Sequence, residues 1–147
     1  MLDSPRWTAN RAVIAPSGAF ETHLPAVPRG RAAQLEAVRA LPADTPVVIS
    51  SSGPGAAGRC RRFASRAGIT IEREYLALPS ARAPAYLIEA DQAPVTVFLH
   101  QVLVIPPRGT VRSLCGRVLV DSLRRLRDPS RVLRAVPPGL IVIGART

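Results

Sequence analysis

Lysine is missing from this chain of 147 residues, so all 20 of its basic side chains are arginines, set against 10 acidic ones. Aromatic residues make up only 4% of it, and a core has to be assembled from Val, Leu, Ile and Ala instead. Those aromatics (Trp7, Phe20, Phe63, Tyr75, Tyr86 and Phe98) are scattered along the chain, which leaves no stacking platform for nucleic acid and no recognition module of that kind. No apolar run approaches the roughly 20 residues that a membrane span needs. The opening stretch, MLDSPRWTANRAVIAPSG, lacks a basic head followed by an apolar core, so no secretion signal is expected. Cys60 and Cys115 form neither a disulfide framework nor a metal-type spacing. His23 and His100 are too few and too far apart for a zinc site. A reducing, cytoplasmic compartment is the expectation.

What is present in excess is positive charge, +10 at neutral pH. With Ala, Pro and Gly abundant, the choice of Arg over Lys suggests a GC-rich bacterial genome. Codon bias does not explain the surplus of base over acid. Such a surplus favours an anionic partner: a phosphate ligand, an acidic peptide, nucleic acid or a membrane surface.

The length suits one domain with a single core. Residues 1–30 carry little periodicity beyond a short strand expected at Ala12–Ala15, and the segment reads as irregular. Arg31–Leu41 reads as a helix with Leu35, Val38 and Leu41 inward, stopped by Pro42. Val47, Val48 and Ile49 are a β-branched run suited to a buried strand. Glycines 53, 55 and 58 break that run and open a helix whose apolar face is Cys60, Phe63, Ala64 and Ala67. Arg59, Arg61, Arg62 and Arg66 take its other directions. Gly68 is placed for a left-handed helix cap, and Ile69 opens a further strand. This is a β-α-β unit.

Further along, Ala85–Glu89 reads as a strand and Val95–Ile105 as a helix capped by Asp91. Thr110–Leu126 is amphipathic, with Val111, Leu114, Cys115, Val118, Leu119, Leu123 and Leu126 on one stripe. Its arginines Arg112, Arg117, Arg124 and Arg125 face elsewhere and form a candidate surface for an anionic partner. A short helical turn from Asp128-Pro129 through Val136 and a buried terminal strand over Leu140–Ala145 complete the chain. The expected fold is α/β, a small Rossmann-like sheet with flanking helices and an antiparallel C-terminal strand.

Gly53-Pro54-Gly55-Ala56-Ala57-Gly58 matches G-x-G-x-x-G between a strand and a helix, the context in which backbone N–H groups can cradle a pyrophosphate. Ser51, Ser52, Gly53, Gly55 and Gly58 are therefore the candidate cofactor-binding residues. Glu72 and Glu74 lie at about the distance from which an acid binds a ribose hydroxyl. They also share one face of a strand, as an acid pair or as partners for helix arginines. Against a dinucleotide site, three serines separate the apolar run from the first glycine, and no further β-α-β units follow Ser80. Compared with the first motif of class I S-adenosylmethionine methyltransferases, Ser51 stands in place of the acid and Ala57 in place of the third glycine.

The stretch RCRRFASRAGITIEREYLALPSARAPAYLIEADQAPVTVFLHQVL carries Ala67-Gly68 at a helix end, Arg73 and Tyr75 on a strand, Pro79 and Pro84 in a loop, and Tyr86-Leu87-Ile88 on a short strand. In these features residues 31–147 resemble the C-terminal half of bacterial methyltransferase-like proteins of polysaccharide and natural-product pathways. The terminal LIVIGART is similar to the closing antiparallel strand of that fold. The resemblance implies that TPVVIS is the fifth strand of the parent fold, and that the half which recognises the cofactor is missing. It points to a truncated, non-catalytic accessory or scaffold protein that binds a peptide, ligand or partner enzyme in a biosynthetic pathway. No cofactor is then expected, and a half-sheet favours a homodimer or a partner protein. One alternative is a small enzyme that binds S-adenosylmethionine or a nucleotide at Ser51–Gly58. A second is a basic protein that binds nucleic acid or a regulator.

Overall fold

The computed structural model describes residues 13–27, 30–78, 80–103, 118, 120–135 and 139–147. Their strands are β1 (Phe20–Leu24), β2 (Pro46–Ser52), β3 (Ile69–Leu78), β4 (Tyr86–Glu89) and β5 (Gly139–Arg146). The helices are α1 (Arg31–Arg39), α2 (Ala56–Ala67), α3 (Gln92–Val97, running on as a π-helical turn over Phe98–Val102), α4 (120–125) and α5 (Pro129–Ala135). All five strands form one mixed sheet in the order β1-β2-β5-β3-β4. β1 and β2 are parallel, and β5 runs antiparallel to both of its neighbours, β2 and β3.

The sheet is an α/β fold with an antiparallel C-terminal strand, as the sequence implies. Its internal order differs from a simple β-α-β unit. β2 and β3 run the same way, but the chain's last strand is wedged between them. β5 is thus buried on both faces, with Leu140, Ile141 and Val142 fully enclosed.

Strand alternation sorts these residues into two layers. Leu24, Val47, Ile49, Leu76, Leu140 and Val142 face the helices and form the main core with α1 and α2. Val48, Ala77, Ile141 and Ile143 face the other way, where Ile14, Ala15 and Ala19 pack on them. Both crossover helices, α1 and α2, pack on the first face, as right-handed connections stepping the same way across a sheet require.

α2 ends where Gly68 adopts φ 68°, its N–H directed at the carbonyls of Ala64 and Ser65. The chain terminus reinforces this end, because both the amide and the hydroxyl of Thr147 donate to the Gly68 carbonyl at 2.9 Å. α3 starts after Asp91, which makes no side-chain cap hydrogen bond.

Three local expectations need correction. Phe20–Leu24 is a strand, where residues 1–30 read as irregular; its Thr22 and Leu24 are buried and its Glu21 exposed, an alternation of only five residues. Val13 and Ile14 are helical, not a strand. Of the apolar stripe expected over Thr110–Leu126, Val118 is 61% exposed and Leu126 44%, while Leu123 alone of the described positions enters the core. Val111, Leu114, Cys115 and Leu119 lie outside the described residues.

Candidate functional site

The carboxyl ends of the parallel strands β1 and β2 lie at one edge of the sheet, where ligands of α/β proteins commonly bind. β2 ends in the serines Ser50, Ser51 and Ser52, of which the first two are completely buried. A buried hydroxyl must find partners. Ser50 Oγ donates to the Thr22 carbonyl at 3.3 Å, with His23 Nδ1 3.1 Å away. Ser51 Oγ donates to the Leu24 carbonyl at 2.9 Å, so these two serines tie β2 to β1. Ser52 Oγ accepts from the Ala81 amide at 3.2 Å, fixing the loop that follows β3.

The glycine turn begins directly after these serines. Gly53 and Gly55 have φ of 79° and 73°, a region open to glycine at no steric cost, and Gly55 caps the start of α2. From the first turn of α2, Arg59 folds back over this loop. Its Nε donates to Ser51 Oγ at 3.0 Å, one terminal nitrogen to the Ser52 carbonyl at 2.7 Å, and the other to the Pro54 carbonyl at 2.6 Å. A Cβ added at Gly55 would meet that guanidinium at 3.3 Å, so the close approach across this turn is made by an arginine of the chain itself. Gly58, third of the motif, lies inside α2 beneath the side chain of Arg62. Ser51, Ser52, Gly53 and Gly55 are therefore brought together, around a cation.

Glu72 and Glu74 are not brought to the turn. β5 separates β3 from β2, and both acids lie in the middle of β3, away from its carboxyl end at Leu78. They do not share a face either. The β3–β5 register slips between Ile71 and Arg73, leaving Glu72 as an unpaired bulge residue. Glu74 then turns to the helix side, where Arg61 holds it through two hydrogen bonds of 2.8 and 2.7 Å. That hydrogen bond raises the Arg61 guanidinium further above its ordinary range.

Of the four arginines assigned to an anionic surface, Arg112 and Arg117 lie outside the described residues. Arg124 has structural duties. Its Nε donates to the Leu99 carbonyl at 2.7 Å and a terminal nitrogen to Leu103 at 3.2 Å, closing the end of the π-helical turn. The remaining nitrogen is 3.6 Å from Asp121. Arg125 is exposed.

A different set of arginines lines one cleft. Between α1 and α2 lies a cleft of about 250 Å³ lined by Arg31, Arg59, Arg62 and Arg66 over a floor that includes Leu35 and Phe63. The signal was present in the sequence: Arg59, Arg62 and Arg66 recur at i, i+3 and i+7, one stripe of α2 beside its apolar face. What the spacing does not show is that α1 sets Arg31 opposite that stripe.

Cys60 sits in the core, and burial pushes its thiol up to about 12, which leaves it protonated and unreactive at neutral pH. Ser50 and His23 have the distance of a nucleophile and its base, yet Ser50 is fully enclosed, with the Thr22 carbonyl also within hydrogen-bond reach of its hydroxyl. His100 is exposed on the π-helical turn. Among the described residues no group of three or more His, Cys, Asp or Glu side chains could hold a metal ion, and no helix is long and apolar enough to cross a membrane. Comparison with protein-family models, with curated proteins and with solved structures finds no match to this chain.

Proposed function

We propose that this protein is a non-catalytic binding module, a methyltransferase-like accessory protein that binds a ligand, peptide or partner enzyme in a bacterial biosynthetic pathway. The observation that carries this reading is the Arg59 guanidinium seated on the glycine turn, hydrogen-bonded to Ser51, Ser52 and Pro54. A pyrophosphate or an adenosine cofactor laid against the backbone of this loop competes with these hydrogen bonds for the same space. Each of these is worth about 1.5–3 kcal/mol where it is shielded from water. The C-terminal strand closing the sheet antiparallel is also what the methyltransferase-like resemblance leads one to expect. The position of Glu74 supports the same reading, since Arg61 holds this acid in the middle of β3 and not beside the turn.

Isothermal titration of the purified chain with S-adenosylmethionine, NAD and ATP tests this reading. No saturable heat is expected from any of the three. Micromolar binding of one of them, lost in Gly55→Val, would replace the accessory reading with a cofactor-dependent enzyme that uses Ser51–Gly58.

A further inference from the structure

Among the described residues, some arginines are paired with a carboxylate and others are not. Arg39, Arg61, Arg124 and Arg131 each lie within 4 Å of a carboxylate: Glu36, Glu74, Asp121 and Asp128, respectively. The four around the α1–α2 cleft have no such partner among the described residues. Arg59 is hydrogen-bonded only to neutral acceptors. Arg31 donates to the carbonyls of Pro25 and Ala26 at 2.9 and 3.3 Å, while its Nε is buried with no hydrogen-bond partner. Arg62 and Arg66 extend from the exposed side of α2 over the same cleft.

Four arginines line this one cleft, which gives it a surplus of positive charge that a bound anion offsets. The guanidinium fork matches the oxygens of phosphate and carboxylate. Leu24, Leu35 and Phe63 give the cleft an apolar floor, which bare inorganic anions do not exploit. Its volume, about 250 Å³, falls below the roughly 300–1,000 Å³ of sites for larger ligands. We infer that the cleft between α1 and α2 is a binding site for a small phosphate monoester with a short apolar body, the phosphate held by Arg31, Arg62 and Arg66 and the body laid on Leu35 and Phe63.

This inference rests on reading the chain as a binding module, and it names the ligand class. It is tested separately from the cofactor question, because its probe is phenyl phosphate. Saturable binding of phenyl phosphate to the full chain is expected. Inorganic phosphate, which lacks the apolar body, and benzoate, which carries one charge fewer, should bind more weakly. Arg62→Ala and Arg66→Ala should each weaken phenyl phosphate by about tenfold, the loss of one charge-assisted contact. Both positions are exposed, so the thermal transition of each variant should stay that of the parent. Absence of saturable binding, or binding unchanged in both variants, would overturn the site. So would benzoate or inorganic phosphate binding as tightly as phenyl phosphate. A short single-stranded oligonucleotide that displaces phenyl phosphate at lower concentration, with affinity falling steeply in salt, would overturn the small-ligand assignment in favour of nucleic acid. Silence toward S-adenosylmethionine, NAD and ATP together with phenyl phosphate binding sustains both proposals. Silence toward all four removes only this one.

Discussion

The Nε of Arg59 donates to the Ser51 hydroxyl at 3.0 Å, and that hydroxyl donates onward to the Leu24 carbonyl at 2.9 Å. A single relay therefore links α2, the end of β2 and the end of edge strand β1. Arg59→Ala should lower unfolding stability by about 2 kcal/mol, because it removes three hydrogen bonds and leaves Ser51 short of a donor. Arg59→Lys should recover only part of this, since an ammonium cannot reproduce the planar fork. Urea denaturation of the three proteins checks both statements.

The thiol of Cys60 gives a pH signature. Burial raises it from about 9 to about 12, so the folded state holds a proton that the unfolded chain releases at lower pH. Its contribution is constant below about pH 9 and is lost progressively as pH rises from 9 toward 12. The difference in stability between the parent and Cys60→Ala should be constant below about pH 9 and change only in that alkaline window. Alkylation of Cys60 at pH 8 should be slow in the folded protein and fast in urea.

Gly144 lies opposite Ile71, beside the bulge of β3, and any Cβ there would run into the Thr70 carbonyl oxygen. Gly144→Ala should therefore cost about 2 kcal/mol or more by forcing β3 and β5 apart. The same change at exposed Gly18 meets no neighbouring atom, and there only its φ of 75° opposes the new side chain. Thermal denaturation of the two variants should rank them in that order.

The ion pair of Arg61 with Glu74 should matter less. Arg61 is 51% exposed, so solvent screens the pair despite its two short hydrogen bonds. A double-mutant cycle with Arg61→Ala and Glu74→Gln should return a coupling of about 0.5–1 kcal/mol.

Where the sequence was readable, strong local signals made it so. The β2–α2–β3 run has a β-branched strand, two glycines with positive φ at one end of a helix and Gly68 at the other, and each of these acts within a few residues. Strand order is not local. The wedging of β5 between β2 and β3 depends on pairings of residues up to about a hundred positions apart, which no short window displays. β1 is weakly signalled because FETHL is only five residues long and lies between Pro16-Ser17-Gly18 and Pro25, so its alternation is too short to stand out from the flanking turns. The bulge at Glu72 comes from the fit of β3 against β5, and it undid the face expected for Glu72 and Glu74. At the candidate site, the glycines and serines were legible. The direction of Arg59 was not, because only the folded turn presents the carbonyls it binds.

The most direct test of the closed turn is nitrogen-15 NMR of the arginine Nε–H groups and of the turn amides. Arg59 Nε–H should give a resolved signal, slow to exchange with water. That signal and those of Gly53 and Gly55 should stay in place when S-adenosylmethionine, NAD or ATP is added to millimolar concentration. Saturable shifts at Gly53, Gly55 and Arg59 with any one of these ligands would contradict the account and show that Arg59 yields the turn to a cofactor.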